Sequence, residues 1–376
     1  MKKILIAPNS FKGALTAEEV ATAIETGLKA SNIKAELIKF PIADGGDHTS
    51  YLLSKYLKGK MQKRAVKGAY LQNTEANYAL INKGKTAIIE VAETSGFKSI
   101  SGKLRSPVES SSFGLGELIK HNLEHGILDF VICLGGSATV DGGIGMLQAL
   151  GMEFLDKNGK RTEGTAKNYK DLKSLSLDKL KNTVKDARFT VLCDVENKLL
   201  GEDGAAAVFG PQKGASPKDV KTLEAFLTHL DELTDVNIGK SLDAVIGGGA
   251  AGGLGAAFKV FLNAEMKKGA AYFFELTQIE EQLKEADWVI TGEGSIDSQS
   301  LEGKAPVVLA QLAKKYKKPI IGLAGNIPLQ IDKELQEHFL ALLAIGNRPE
   351  DLDIAIKHTA ENLTRTAKQL GLLLSY

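Results

Sequence analysis

The chain has 376 residues, 43% apolar and 25% charged, the mix of an ordinary globular protein long enough for two domains. Its 47 Lys and Arg balance 46 Asp and Glu to a net charge of +1, and aromatics are only 6%; a general nucleic-acid or membrane-surface binder would need a strong basic excess, and base stacking would need more rings. Two cysteines, Cys133 and Cys193, give no disulfide framework and fit a reducing, cytoplasmic setting, while no apolar run approaches the roughly 18 residues of a membrane span.

Ile4-Leu5-Ile6-Ala7 reads as a short buried strand ended by Pro8, too short for the apolar part of a secretion signal. Thr16-Ala17-Glu18-Glu19 is a capping box, and Val20, Ile24 and Leu28 follow at helical spacing. A second strand over 36–40 ends at Pro41, and a helix carries Tyr51, Leu52 and Leu53. This βαβα opening is that of a parallel sheet covered by helices. Near residue 60 the rhythm changes. Runs at 75–80 and 86–92 flank Asn82-Lys83-Gly84-Lys85, a hairpin signature. Ser112 is placed to cap a helix bearing Leu115, Leu118, Ile119 and Leu123, with Gly126 to close it. Strands are expected at 130–134 and 189–193, and the Lys-rich stretch 156–186 reads as peripheral. The βα rhythm resumes at Trp288-Val289-Ile290 and continues with strands at 319–323 and 339–345, helices after Pro306 and around Leu335, and a last long helix beginning at Pro349. The simplest reading is α/β: a flavodoxin-like parallel-sheet domain of residues 1–65 and 286–376, interrupted by an inserted mixed α/β domain of residues 66–285.

Glycine is in excess, at 39 residues, or about a tenth of the chain against a usual 7% or so, and it clusters in loops. In a doubly wound sheet, ligands bind beyond the carboxyl ends of the strands where the strand order reverses. That point brings Pro8-Asn9-Ser10-Phe11-Lys12-Gly13 near Thr291-Gly292-Glu293-Gly294-Ser295-Ile296-Asp297, with Ala43-Asp44-Gly45-Gly46 adjacent. Taken singly, Asp44 reads as an Asx-turn and Lys12 as a solvated lysine; together the loops read as a site. In the insert, Gly135-Gly136-Ser137-Ala138-Thr139-Val140-Asp141-Gly142-Gly143 follows a strand and precedes a helix, so its amides and the helix terminus suit an anion. Cys193-Asp194-Val195-Glu196 places two acids after another strand, a pattern that suits Mg²⁺ held partly through water. Phe209-Gly210-Pro211-Gln212-Lys213-Gly214 supplies one cation, and residues 247–255 form a second Gly-rich loop whose alternative reading is close backbone packing.

Two patterns mislead. Gly247-x-Gly249-x-x-Gly252 matches a dinucleotide fingerprint, but no second βα unit with a ribose-binding acid follows it. Ile238-Gly239-Lys240-Ser241 looks like the end of a P-loop, yet Thr234 stands where its first glycine belongs. His121 and His125 are four apart with no matching ligand cluster, as on a surface helix face.

The loops named above, with Gly249-Ala250-Ala251-Gly252-Gly253 and Gly292-Glu293-Gly294-Ser295-Ile296-Asp297, resemble the type-1 glycerate kinases in order and spacing over essentially the whole chain. The resemblance implies ATP-dependent phosphorylation of D-glycerate by two domains, one flavodoxin-like and one similar to the restriction-endonuclease fold. The chain departs from the family pattern at Asp47-His48-Thr49, where Glu-Gly-Thr is usual, at Val140, where Asn is common, and at Lys198, where Pro is common.

On that reading ATP is co-substrate, Mg²⁺ the metal, and small molecules the only partners, with no nucleic acid and no membrane. The site is expected in the cleft between the domains. Asp44 is the candidate base, with Lys12 and Asp194 beside it in catalysis. Ser10, Gly135, Gly136, Ser137, Thr139, Asp141, Lys213, Gly248, Gly249, Gly252, Gly253, Glu293 and Lys304 are candidates for nucleotide or substrate binding, and Asp194 and Asp297 for the metal. Two rivals stand beside it: a nicotinamide-dependent oxidoreductase resting on 247–252, and a small-anion sensor that closes without chemistry.

Overall fold

A computed structural model describes residues 1–97, 100 and 105–375 of the chain. It divides into two compact units, Met1–Asp44 with Lys268–Tyr376, and Gly45–Lys267.

The first unit is built on a five-stranded sheet in the order Ala35–Lys39, Lys2–Ile6, Trp288–Ser295, Ile320–Asn326, Ala341–Ala344. Every pairing is parallel, with Ile4 opposite both Leu37 and Trp288. By position along the unit the order is second, first, third, fourth, fifth, so the front and back strands share one sheet. Helices cover both faces, which is why the inner strands are apolar runs rather than alternating ones; Ile4, Ile6, Ile290 and Leu323 join Val20, Ile24, Leu28 and Leu363 in one core. The helix Ala17–Ala30 starts at the expected box, with Thr16 and Glu19 bonded reciprocally. It lies close beside Thr359–Leu374, where a Cβ on Gly27 would come 2.2 Å from the Thr364 carbonyl oxygen.

Two elements differ from expectation. Strand Trp288–Ser295 runs on through the glycines, because its neighbour continues alongside it, pairing Glu293 with Ala324 and Ser295 with Asn326. Pro349 does not begin a helix. Helices span Leu352–Lys357 and Thr359–Leu374, and Asp351 takes the N-cap position, while Glu350 is drawn to Arg348 and His358.

The second unit has a six-stranded mixed sheet in the order Glu265–Lys267, Arg188–Leu192, Asp129–Cys133, Thr86–Glu90, Asn73–Ile81, Lys60–Lys67. The first four strands run parallel; the last two join antiparallel, through the hairpin at 82–85. Helix Thr49–Tyr56, expected with the first unit, packs against these outer strands. Ser112 precedes helix Phe113–Glu124 but does not cap it through its side chain. Stretch 156–186 is not merely peripheral. Its sparse apolar residues Ala166, Leu172, Leu175 and Leu180 are buried in the core of this unit, partly through a small antiparallel sheet formed by Glu153–Leu155, Arg161–Thr162 and Ser174–Ser176. Among the described residues no helix is long and apolar enough to cross a membrane.

Candidate active site

In the first unit the strand order reverses between Lys2–Ile6 and Trp288–Ser295, and their following loops meet there. The Asn9 amide N–H donates to the Gly292 carbonyl (2.8 Å). The Asn9 side chain then accepts from the Ser10 N–H (2.8 Å) and donates through Nδ2 to Asp44 Oδ2 (2.8 Å). Asn9 is therefore a link between Asp44 and the first loop, and it is not among the residues the sequence singles out. Its signal was its place in the Pro8-Asn9-Ser10 turn. Lys12 is exposed and Asp44 half-buried.

Glu293 is 7% exposed and accepts from Ser300 Oγ (3.2 Å). Burial pushes its carboxyl up to about 7; Lys304 and Ser300 pull it down, and the Asp44 and Asp297 charges push it further up. Asp44, Asp297 and Lys304 therefore each lie within electrostatic reach of Glu293. Asp297 is also a cap. Its Oδ1 accepts from the Gln299 N–H (3.0 Å) and its Oδ2 from Ser295 Oγ (2.7 Å).

In the second unit the turn 134–143 follows strand Asp129–Cys133. Gly135 and Gly136 are half-buried, and a Cβ on Gly135 would meet Gly46 Cα at 2.7 Å, so two Gly-bearing loops touch here. Asp141 is buried and accepts four hydrogen bonds: from the Ser112 N–H (2.7 Å) and Oγ (2.8 Å), the Gly143 N–H (3.0 Å) and the Gly145 N–H (3.2 Å). Burial pushes this carboxyl up and the four donors pull it back. Asp141 thus ties together the starts of helices Phe113–Glu124 and Ile144–Ala149. Lys213 is 3% exposed, with Nζ donating to Ser137 Oγ (2.8 Å) and the Thr139 carbonyl (2.8 Å). Burial brings its pKa down to about 7, against the pull of Asp141. Thr139 Oγ1 is buried with no hydrogen-bond partner among the described residues. His48 has φ +66°, and Glu90 accepts from its N–H (3.1 Å) and from the Ser50 N–H (2.8 Å).

The glycines at 247–255 are explained by close packing. A Cβ on Gly252 would lie 2.0 Å from the Thr139 carbonyl oxygen, and one on Gly249 2.2 Å from that of Lys198. The N–H groups of Gly247, Gly248, Gly249, Gly252 and Gly253 all donate to backbone carbonyls, which leaves those amides committed to the fold. The residues before the loop form turns rather than a strand, so the dinucleotide pattern lacks its structural context. Gly239 is a helix C-cap at φ +68°, which accounts for the false P-loop. Asp194 is half-buried beyond strand Arg188–Leu192. It and Asp297 belong to different units, and among the described residues no three His, Cys, Asp or Glu side chains gather as a metal site. None of the candidate residues lines the recess of about 720 Å³ beside Tyr169, Glu224 and His229; convergent polar groups, not cavity size, define the site.

The pattern that defines the glycerate kinase family matches residues 4–375. The chain belongs to this family. It is 39% identical over 374 residues to the glycerate kinase of Haemophilus influenzae, covering 100% of this chain and 99% of that one. It is 38% identical over 373 residues to the glycerate 2-kinase of Escherichia coli, with 99% and 98% covered. A solved chain from Salmonella typhimurium LT2, provisionally assigned as glycerate kinase 2, superposes with a TM-score of 0.82 at 37% identity, covering 99% of this chain and 98% of that one. The shared architecture is mixed α/β, with one parallel and one mixed sheet.

Proposed function

We propose that the chain transfers the γ-phosphoryl group of ATP to a hydroxyl of D-glycerate, giving ADP and phosphoglycerate. The observation that carries this reading is the match to glycerate kinases over the full length of both chains. Phosphoryl transfer needs neutralised phosphate charge and an aligned hydroxyl more than covalent help from the protein. Asp44, its carboxylate oriented by Asn9, takes or orients the hydroxyl proton. Glu293, held near neutral pKa in the same cluster, is the acid best placed to share that proton. Lys12, Lys304 and Ser10 serve the phosphoryl oxygens, and Gly135, Gly136, Ser137 and Thr139 serve an anionic group of substrate or nucleotide. Asp141, Gly252 and Gly253 hold that turn, Gly248 and Gly249 pack on other backbone carbonyls, and Lys213 adds a buried cation.

Mg²⁺ in such sites takes one or two carboxylates beside phosphate oxygens and water. Asp297 fits: its carboxylate accepts from Ser295 and from the helix start and retains acceptor capacity. Asp194, half-buried at a strand end of the other unit, is a candidate ligand in its own right. When bound, the ion neutralises charge on the β- and γ-phosphates. The strand order of the first unit supports a flavodoxin-like domain, and the second unit is read as similar to the restriction-endonuclease fold. The balanced charge supports small-molecule partners, and the two free cysteines a reducing, cytoplasmic setting. A coupled ADP assay with Mg²⁺ and ATP tests the reading. ADP should form only when D-glycerate is added, and equal ADP formation without glycerate would overturn it.

A further inference from the structure

Lys213 is the one candidate cation that is fully enclosed. It stands in the turn Pro211–Lys213 after helix Ala205–Phe209, and its ammonium reaches a segment more than 70 residues earlier in the chain. A lysine that clamps phosphate directly keeps its donors for the ligand. This one spends two of three inside the protein, on Ser137 Oγ and the Thr139 carbonyl, each at 2.8 Å. The two acceptors differ in what the bond does to them. The Thr139 carbonyl can only accept, so its bond fixes the backbone of the turn. The Ser137 hydroxyl has one hydrogen and two lone pairs. Once a lone pair takes the Lys213 N–H, the hydroxyl hydrogen is left to donate elsewhere. Ser137 is 6% exposed and sits one residue beyond the half-buried Gly135-Gly136 pair.

We propose that Lys213 is a positioning residue: by donating to Ser137 Oγ it turns the Ser137 hydroxyl into a hydrogen-bond donor for an anionic oxygen, carboxylate or phosphate, of the bound substrates. The proposal rests on the reading of the 135–139 turn as an anion site. Lys213 does not touch the ligand; it acts through Ser137. Asp141 is the charged side chain that acts on Lys213, and it favours the ammonium. The protonation state matters because a neutral amine has a lone pair that can capture the Ser137 hydrogen, while an ammonium cannot.

A double-mutant cycle tests this on the full-length enzyme, with KM and kcat measured for ATP and for D-glycerate and Tm measured in parallel. Ser137→Ala removes a hydrogen bond to a charged group, so the KM of one substrate should rise about tenfold or more, with kcat changed far less. Lys213→Met should raise the same KM. In the double variant the two effects should not add. If Ser137→Ala leaves both KM values unchanged, the anion-site reading of the turn fails, and the Lys213 proposal with it. If Ser137→Ala raises KM but folded Lys213→Met does not, or if the two effects add fully, the turn stands as an anion site and the Lys213 proposal is overturned. Should Lys213→Met not fold, the pH dependence of KM carries the test. KM should rise as pH passes through about 7, where Lys213 loses its proton, and Ser137→Ala should abolish that rise. An unchanged pH dependence in Ser137→Ala overturns the proposal.

Discussion

Asp141 lies in a turn read from sequence as an anion site, yet its four bonds make it a clasp between two helix starts. Replacing it with Ala leaves three backbone amides and one hydroxyl without their acceptor, in a place only 5% exposed. Each buried donor left unpaired costs about 1–3 kcal/mol. The three amides alone then give roughly 3–9 kcal/mol, and relief from burying a carboxylate returns part of that, for a net loss of about 3–5 kcal/mol. Asn keeps one oxygen. Placed at Oδ2, it serves the Ser112 N–H and Oγ and the Gly145 N–H, while its NH₂ faces the Gly143 N–H; the expected loss is about 1–2 kcal/mol. Urea unfolding followed by far-UV circular dichroism reads the change. The single Trp, Trp288, lies in the other unit and provides an internal reference by fluorescence. An Ala variant within about 1 kcal/mol of the parent, or an Asn variant as damaging as Ala, would refute the clasp.

Gly252→Ala should cost several kcal/mol, roughly 3 or more, because its φ is +71° and a Cβ would lie 2.0 Å from a backbone oxygen; Gly13→Ala, at φ +79° with nothing within 4 Å, should cost only about 1 kcal/mol. Equal losses on thermal melting would show that the packing argument for the second Gly-rich loop is wrong. Glu293, raised in the folded chain from 4.5 to about 7, binds its proton more tightly folded than unfolded. Its contribution to stability is fully present below pH 4.5 and is lost as pH rises to about 7, and Glu293→Gln should flatten that slope in melts across the window. Asp44→Asn should lower kcat by roughly 10²-fold with Tm unchanged, and near-normal kcat would leave Asp44 only a turn-forming role. Lys12→Ala should lower kcat; a change confined to the glycerate KM would make Lys12 a carboxylate clamp instead.

The parts of the fold legible in the sequence were those with strong local signals. The apolar runs at Ile4-Leu5-Ile6 and Val289-Ile290, the Thr16–Glu19 box and the hairpin at 82–85 all formed where the pattern placed them. What failed depends on partners distant in sequence. Strand Trp288–Ser295 runs through Gly292 and Gly294 because a neighbouring strand lies beside them, and glycine alone suggests a loop. Leu172 and Leu180 are buried although Lys-rich sequence surrounds them, since a core needs only widely spaced apolar contacts. Within the candidate site, the sequence named loops that the fold joins, Asn9 to Asp44 and Lys213 to Ser137, but not the bonds each residue makes. A Gly-rich loop that packs backbone on backbone, as at Gly252, is written like one that cradles an anion. A lysine committed to Ser137 is written like a free one. Asn9, Glu90 and Ser300 carry no mark of their roles in the sequence, and Ser112 only that of a helix cap, because their importance lies in the bonds to Asp44, Ser50, Glu293 and Asp141.

The measurement closest to the central claim is ³¹P NMR of the full-length protein with ATP, Mg²⁺ and D-glycerate. A phosphomonoester signal from phosphoglycerate should grow in step with ADP, and its coupling pattern tells whether the 2- or 3-hydroxyl was the acceptor. Inorganic phosphate growing in its place, or an ATP spectrum unchanged by glycerate, would contradict the account.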